Sequence, residues 1–158
     1  MKKLVCMLSL LAVLLCLCMA GMAEDGAIAG KPFPEFSFTD LEGNSVSLAK
    51  AGEGKKLTVV YLFSAFDEGC MDVFPEMEEV YQAHKEEMAY VAVTGRYSED
   101  PEIVRNFSKE HTVSAVLGTA EEKMVLYLNP ETLPCILFID RNGNAACVIR
   151  HDSSKGRE

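Results

Sequence analysis

Leu57-Thr58-Val59-Val60-Tyr61-Leu62-Phe63-Ser64-Ala65-Phe66-Asp67-Glu68-Gly69-Cys70 is the stretch on which the fold turns. From Leu57 to Ala65 it is a continuous apolar and β-branched run, as expected for a strand covered on both faces. The period then changes. Between Cys70 and Met88 the residues Val73, Phe74, Met77, Val80, Tyr81, His84 and Met88 recur at helical spacing and form one stripe. Asp67 stands at the junction. Its short carboxylate suits the N-cap of a helix beginning near Glu68, with Cys70 at the third helical position.

Upstream, Glu35 to Asp40 alternates around Phe36 and Phe38, Leu41-Glu42-Gly43-Asn44 turns, and Ser45 to Leu48 returns, which reads as a β-hairpin. Gly52 to Lys56 is a polar loop. Downstream, Tyr90 to Thr94 is a short strand. Asp100-Pro101 starts a helix with a cap residue followed by proline at the first helical position, and Ile103, Val104 and Phe107 give that helix its buried face. Val113 to Leu117 is another strand. Thr119 and Glu122 form a capping box before Met124, Val125 and Leu128. Cys135 to Ile139 is a strand, Asp140-Arg141-Asn142-Gly143 turns it, and Ala145 to Ile149 pairs back. The order is hairpin, β, α, β, α, β, α, β, β. It implies an α/β domain with a central mixed sheet, parallel where helices intervene and antiparallel at its end.

The chain has 158 residues and a net charge of −9. Lys2 and Lys3, the apolar or small run from Leu4 to Ala23, and the small residues of Gly21-Met22-Ala23 read as a secretory leader cut after Ala23. A run of this length also suffices for a membrane anchor. The expected organisation is a leader at 1–23, a linker at 24–34, one domain at 35–151 and a polar tail at 152–158. The expected location is extracytoplasmic: secreted, periplasmic or membrane-anchored. Without the leader's two lysines, 13 basic residues face 24 acidic ones, a net of −11. That balance argues against nucleic acid, whose phosphates need Lys and Arg. Three of the six cysteines lie in the leader, leaving Cys70, Cys135 and Cys147. An oxidising compartment permits them one internal disulfide and leaves one thiol over. His84, His111 and His151 are scattered singly and no cysteines have zinc spacing, so neither metal nor cofactor is expected.

The order of elements resembles a thioredoxin fold. Phe63-Ser64-Ala65-Phe66 stands where the family has an aromatic-rich strand end, just before Asp67-Glu68-Gly69-Cys70 in the place of its Cys-x-x-Cys. Pro75 lies five residues after Cys70, where the family's first helix carries a proline kink. Leu133-Pro134, before Leu137-Phe138-Ile139-Asp140 and Asn142-Gly143, is similar to the family's cis-proline strand and hairpin. The extra strand and helix between Thr94 and Leu117, with the N-terminal hairpin, resemble the TlpA/ResA-like branch of the redoxin, AhpC/TSA-related proteins. The resemblance covers about residues 30–151. Two departures stand out. Asp67 replaces the nucleophilic first cysteine, and the family's final helix is missing after Ile149. Either the chain is shortened, or one sheet face is left for a partner chain.

The resemblance implies a thiol–disulfide oxidoreductase acting on protein thiols, disulfides or extended polypeptide segments, with Asp67, Cys70, Pro134 and Cys135 as its site residues. Disulfide exchange needs an attacking thiolate and a second thiol to release the mixed disulfide. Asp67 cannot attack, and its charge opposes a thiolate at Cys70. Asp67 can equally be only a cap, and Cys70 only a small buried apolar residue. Cys135 follows the expected cis-proline, so it stands as a displaced partner for Cys70, while Cys147 reads as core. Three functions remain open: an oxidoreductase of altered or weakened activity, a redox-inactive thioredoxin-like binding domain, and a peroxiredoxin-like peroxidase. For the last, Asp67-x-x-Cys70 resembles half of Pro-x-x-x-Thr-x-x-Cys, with Phe63 in place of the proline and Asp67 in place of the threonine.

Overall fold

The structure is a computed structural model that describes residues 23–24, 28–94, 100–128 and 133–150. Its elements are β1 (Ala23–Glu24), β2 (Ser37–Asp40), β3 (Ser45–Ser47), α1 (Leu48–Ala51), β4 (Leu57–Phe63), α2 (Glu68–His84), β5 (Met88–Thr94), α3 (Pro101–Glu110), β6 (Val116–Ala120), α4 (Glu122–Leu128), β7 (Cys135–Asp140) and β8 (Ala145–Arg150). The described strands form one mixed sheet in the order β1-β8-β7-β4-β5-β6-β2-β3. β4 runs parallel to β5 and antiparallel to β7, and β5 runs parallel to β6.

The apolar run of β4 is continuous because it serves two cores. Val60 and Leu62 face one side with Val91, Val93 and Leu137, beneath Met124, Val125 and Leu128 of α4. Val59, Tyr61 and Phe63 face the other with Tyr90, Ala92 and Phe138, beneath Phe74 and Met77 of α2 and Val104 and Phe107 of α3. Each such side chain fully buried contributes on the order of 1.5–3 kcal/mol. The strand is therefore fixed by both layers at once, and it sets the position of the turn that follows it.

The two hairpins share one turn chemistry. In Asp40-Leu41-Glu42-Gly43-Asn44 and in Asp140-Arg141-Asn142-Gly143-Asn144 the aspartate carboxylate accepts from the asparagine backbone N–H, at 2.7 Å and 2.9 Å, and from its side-chain amide. Gly43 and Gly143 take positive φ, 89° and 79°, where a side chain would be strained. The hydrogen bonds to Asn44 and Asn144 hold both carboxyls below the ordinary carboxylate range.

Several boundaries differ from the sequence reading. The Cys70 helix ends at His84, and Met88 opens β5, because the apolar stripe continues across the turn closed by Glu87 N–H to the His84 carbonyl at 2.9 Å. The expected strand at 113–117 lies at 116–120, and the Thr119–Glu122 capping box does not form. Thr119 instead pairs within the sheet with Thr94 and Thr39, and the Glu121 carbonyl accepts from Met124 and Val125. Gly118 permits this pairing, since a Cβ there would come within 2.3 Å of the Thr39 carbonyl oxygen. The return strand of the first hairpin stops at Ser47, whose hydroxyl caps the short α1 through Lys50 N–H at 3.1 Å. From Ile28, the stretch read as a linker belongs to the packed domain. Ile28 is buried, Gly30 N–H and Phe33 N–H donate to the Ala145 and Gly143 carbonyls, and Pro32 bridges to Asn144. Residues 1–22 of the expected leader and the tail after Arg150 lie outside the described residues, and with them the expectation of a missing final helix. No described helix is long and apolar enough to cross a membrane.

Candidate active site

β4 delivers the chain to Ser64 at the sheet's end, and α2 departs from there. Asp67 has extended backbone, φ −110° and ψ 114°, and its carboxylate accepts from Cys70 N–H at 3.1 Å. The cap expected from the sequence is formed. Phe66, beside it, is 71% exposed, an aromatic ring left in solvent next to the helix start.

Cys70 turns inward and is fully buried. Its Sγ accepts from Ser64 N–H at 3.4 Å, and its carbonyl accepts from the Tyr61 hydroxyl at 2.7 Å. Phe63, Phe74 and Phe107 close around this corner with ring centroids 4.9–5.6 Å apart. Burial pushes the Cys70 thiol up to about 11, and the Asp67 carboxylate adds to the rise against the opposing Ser64 N–H. The group is therefore a thiol at neutral pH, and burial is the larger cause. Burial likewise raises the Tyr61 hydroxyl, so it remains a donor.

The Leu133–Pro134 bond is cis, as the sequence led us to expect, and Pro134 is buried. In the β4–β7 register Cys135 stands opposite Leu62. Pro134 thus lies one step further, beside Phe63 and close to Ser64, whose N–H meets the Cys70 sulfur. Leu133 is half-buried and touches both cores. The structure brings Phe66, Asp67, Cys70 and Pro134 to one end of the sheet.

Cys135 is placed differently. Its side chain packs in the core with Leu62 and Leu137, on the α4 side, whereas Cys70 packs with Phe63 on the α2 side. No disulfide joins them, so the pairing left open by the sequence is not formed. The reason is strand alternation: successive side chains of β7 point to opposite faces, and position 135 falls on the wrong one. Cys147 packs on the α2 side, in the core as expected.

Sequence reasoning passed over Ser64 and Tyr61 as partners of Cys70. Tyr61 carried a signal, since a hydroxyl inside an otherwise apolar strand needs a buried acceptor. Ser64 carried none, because it contributes its backbone. Clefts of about 420 Å³, between Thr58 and the Asp140–Gly143 turn, and of about 370 Å³, between α2 and α3, lie elsewhere. Neither is lined by Asp67, Cys70 or Pro134.

A sheet of this order, with a capped helix leaving its central strand opposite a cis-proline loop, defines a thioredoxin-like domain, and solved structures agree. A thiol:disulfide interchange protein from Bacteroides sp. superposes with a TM-score of 0.66 at 22% identity, covering 76% of this chain and 80% of that one. A thiol:disulfide interchange protein of the thioredoxin family from Chlorobium tepidum gives 0.64 at 22%, covering 78% and 89%. The exposed lipoprotein thioredoxin of Streptococcus pneumoniae gives 0.61 at 14%, covering 75% and 90%. No curated protein matches the chain. Residues 29–148 match the model of the AhpC/TSA family, and the chain belongs to that family.

Proposed function

We propose that the chain is an exported thioredoxin-like thiol–disulfide oxidoreductase of weakened activity, of the TlpA-like kind, that engages protein thiols, disulfides or extended polypeptide segments at the Phe66–Asp67–Pro134 end of the sheet. The single observation that carries this reading is the helix cap. Where the family's attacking thiol would stand, the Asp67 carboxylate occupies the α2 N-terminus and leaves Cys70 as a buried thiol behind it. The fold, the exposed Phe66 ring and the cis-proline loop support retained binding. The interchange proteins and the lipoprotein thioredoxin among the structural relatives support the redox class and the extracytoplasmic location. Cys135 supports the α4-side core rather than the exchange.

A redox-inactive binding domain is the second reading, favoured by the complete burial of Cys70. A peroxidase would need the Cys70 thiolate, which burial and Asp67 both oppose. The test is reduction of an insulin-type disulfide with dithiothreitol as the terminal reductant. The unaltered chain is expected to stay within about twofold of background. Asp67→Cys is expected to raise the rate tenfold or more. Its new thiolate attacks the client disulfide, and Cys70 then displaces the client as a dithiol while a 67–70 disulfide forms. A high wild-type rate that survives Cys70→Ser would remove this site from the chemistry altogether.

A further inference from the structure

The cleft of about 370 Å³ between α2 and α3 begins one turn along α2 from Asp67. Its walls are apolar: Met71, Phe74 and Pro75 from α2, Phe107 from α3, and Val113 from the loop beyond. His111 lines it as well and lies nearly flat on Phe107, with ring centroids 4.5 Å apart and planes at 28°. One carboxylate lines it, that of Glu78. Glu78 Oε1 accepts from the Gln82 side-chain amide at 2.9 Å and from the Ser114 hydroxyl, and Oε2 accepts from Ser114 N–H at 2.9 Å. Partial burial opposes its ionisation, but these neutral donors outweigh burial and hold the carboxyl below its ordinary range.

The charge fixed in this way has no counter-ion among the described residues, whose ion pairs are Lys56–Glu87 and Lys123–Glu121. The cations of α3 are held elsewhere. Arg105 Nε donates to the Leu41 carbonyl at 3.0 Å, and Lys109 Nζ to the Asn106 side-chain oxygen at 3.5 Å. α2 supplies none, since Glu68, Asp72, Glu76, Glu78 and Glu79 share it with no Lys or Arg. Tyr90, buried and without a hydrogen-bond partner for its hydroxyl, registers the same charge: burial raises the hydroxyl, and Glu78 raises it further. An ionised carboxylate held by neutral donors beside apolar walls complements a cation carried on an apolar stem.

We propose that the α2–α3 cleft is a subsite for a lysine or arginine side chain of a bound polypeptide, its stem against Met71, Phe74, Pro75 and Phe107 and its charged end at Glu78. The inference rests on the reading that an extended segment engages the Phe66–Asp67–Pro134 end of the sheet, and it names the class of that segment as basic. Glu78 stands about 16 Å along α2 from Asp67. An extended chain spans that distance in about five residues. The basic residue of the client therefore follows or precedes the residue held at Asp67 by about five positions.

Met71 is a native reporter on the cleft wall. The full chain labelled with ¹³Cε-methionine is titrated at low salt with butylguanidinium and with butylurea, its neutral analogue, and Met71→Leu identifies the signal. Butylguanidinium is expected to move the Met71 resonance with binding about fivefold tighter than butylurea, and Glu78→Gln to bring the two within about twofold. An unmoved Met71 resonance, or a preference that survives Glu78→Gln, would overturn the subsite. The second arm measures anisotropy of two fluorescein-labelled extended peptides that differ only in a single lysine or glutamine. The lysine peptide is expected to bind about fivefold tighter, with that ratio lost in Glu78→Gln and both peptides weakened alike in Phe66→Ala. Equal binding, or none, would overturn the basic client class. A lysine preference that Glu78→Gln removes while Phe66→Ala changes nothing would uphold the subsite and remove the Phe66 end of the sheet as the binding surface.

Discussion

Cys70 and Cys135 lie at the same end of the sheet, each fully buried, yet their surroundings differ in kind. Cys70 sits behind a helix cap, with a carboxylate one turn away, a peptide N–H on its sulfur and a tyrosine on its carbonyl. Cys135 sits one strand across, in an aliphatic layer with Leu62, Leu137 and Leu128. The sheet itself separates them. Nearness along the edge of a sheet does not make contact, because alternation sends neighbouring side chains to opposite layers. The Cys70 corner is a set of polar partners around a thiol held protonated, while the Cys135 corner is packing.

The largest expected effect is the response of the Cys70 corner to alkali. In the unfolded chain Cys70 ionises near its ordinary value of 9.0, and in the folded domain near about 11. Between these pH values the folded state holds a proton that the unfolded state has lost. The stability is thus fully present below about pH 9 and falls as pH rises toward about 11, by about 2–3 kcal/mol for this group. Denaturant titrations at pH 8, 9, 10 and 11 should show this fall in the unaltered chain. The fall should be smaller by that amount in Cys70→Ala. Equal slopes in the two would place Cys70 in an ordinary environment and dissolve the contrast.

A smaller effect divides the two roles of Asp67. Replacing it with Ala removes the hydrogen bond to Cys70 N–H and should cost about 1 kcal/mol of stability at pH 7. Asp67→Asn keeps a capping oxygen while removing the charge, so its cost should be a few tenths of a kcal/mol. Both should lower the Cys70 ionisation midpoint, because both remove the negative charge that raises it. A cap loss as large for Asn as for Ala would show that the charge at the helix start, and not the hydrogen bond, holds α2 in place.

The sequence disclosed the Cys70 corner far better than the other. A long apolar run, a change of period and a capping residue are all local, so Asp67 and the start of α2 could be placed from it, whereas the cis Leu133–Pro134 loop was expected only from the resemblance to the thioredoxin family. The strand at Val116–Ala120 was misplaced because its pairing depends on β2, far away in sequence, passing close over Gly118. Met88 was assigned to the helix because an apolar residue entering a strand can match the helical stripe by accident of phase. The side of the sheet on which Cys135 falls depends on the β7 register against β4, which no local pattern reports. Phe66 was visible as an aromatic residue, but its exposure is set by the turn and not by its neighbours in sequence.

The most direct test of the central claim, that Asp67 and burial leave Cys70 a thiol and not a nucleophile, is the ionisation of Cys70 itself. The chain labelled with ¹³Cβ-cysteine is followed by NMR from pH 6 to 11.5, with Cys70→Ser identifying the signal. The account predicts no movement of the Cys70 resonance below pH 9 and a midpoint near about 11. A midpoint below about 8, in the range of activated cysteines, would contradict it and restore Cys70 as a reactive thiolate beside Asp67.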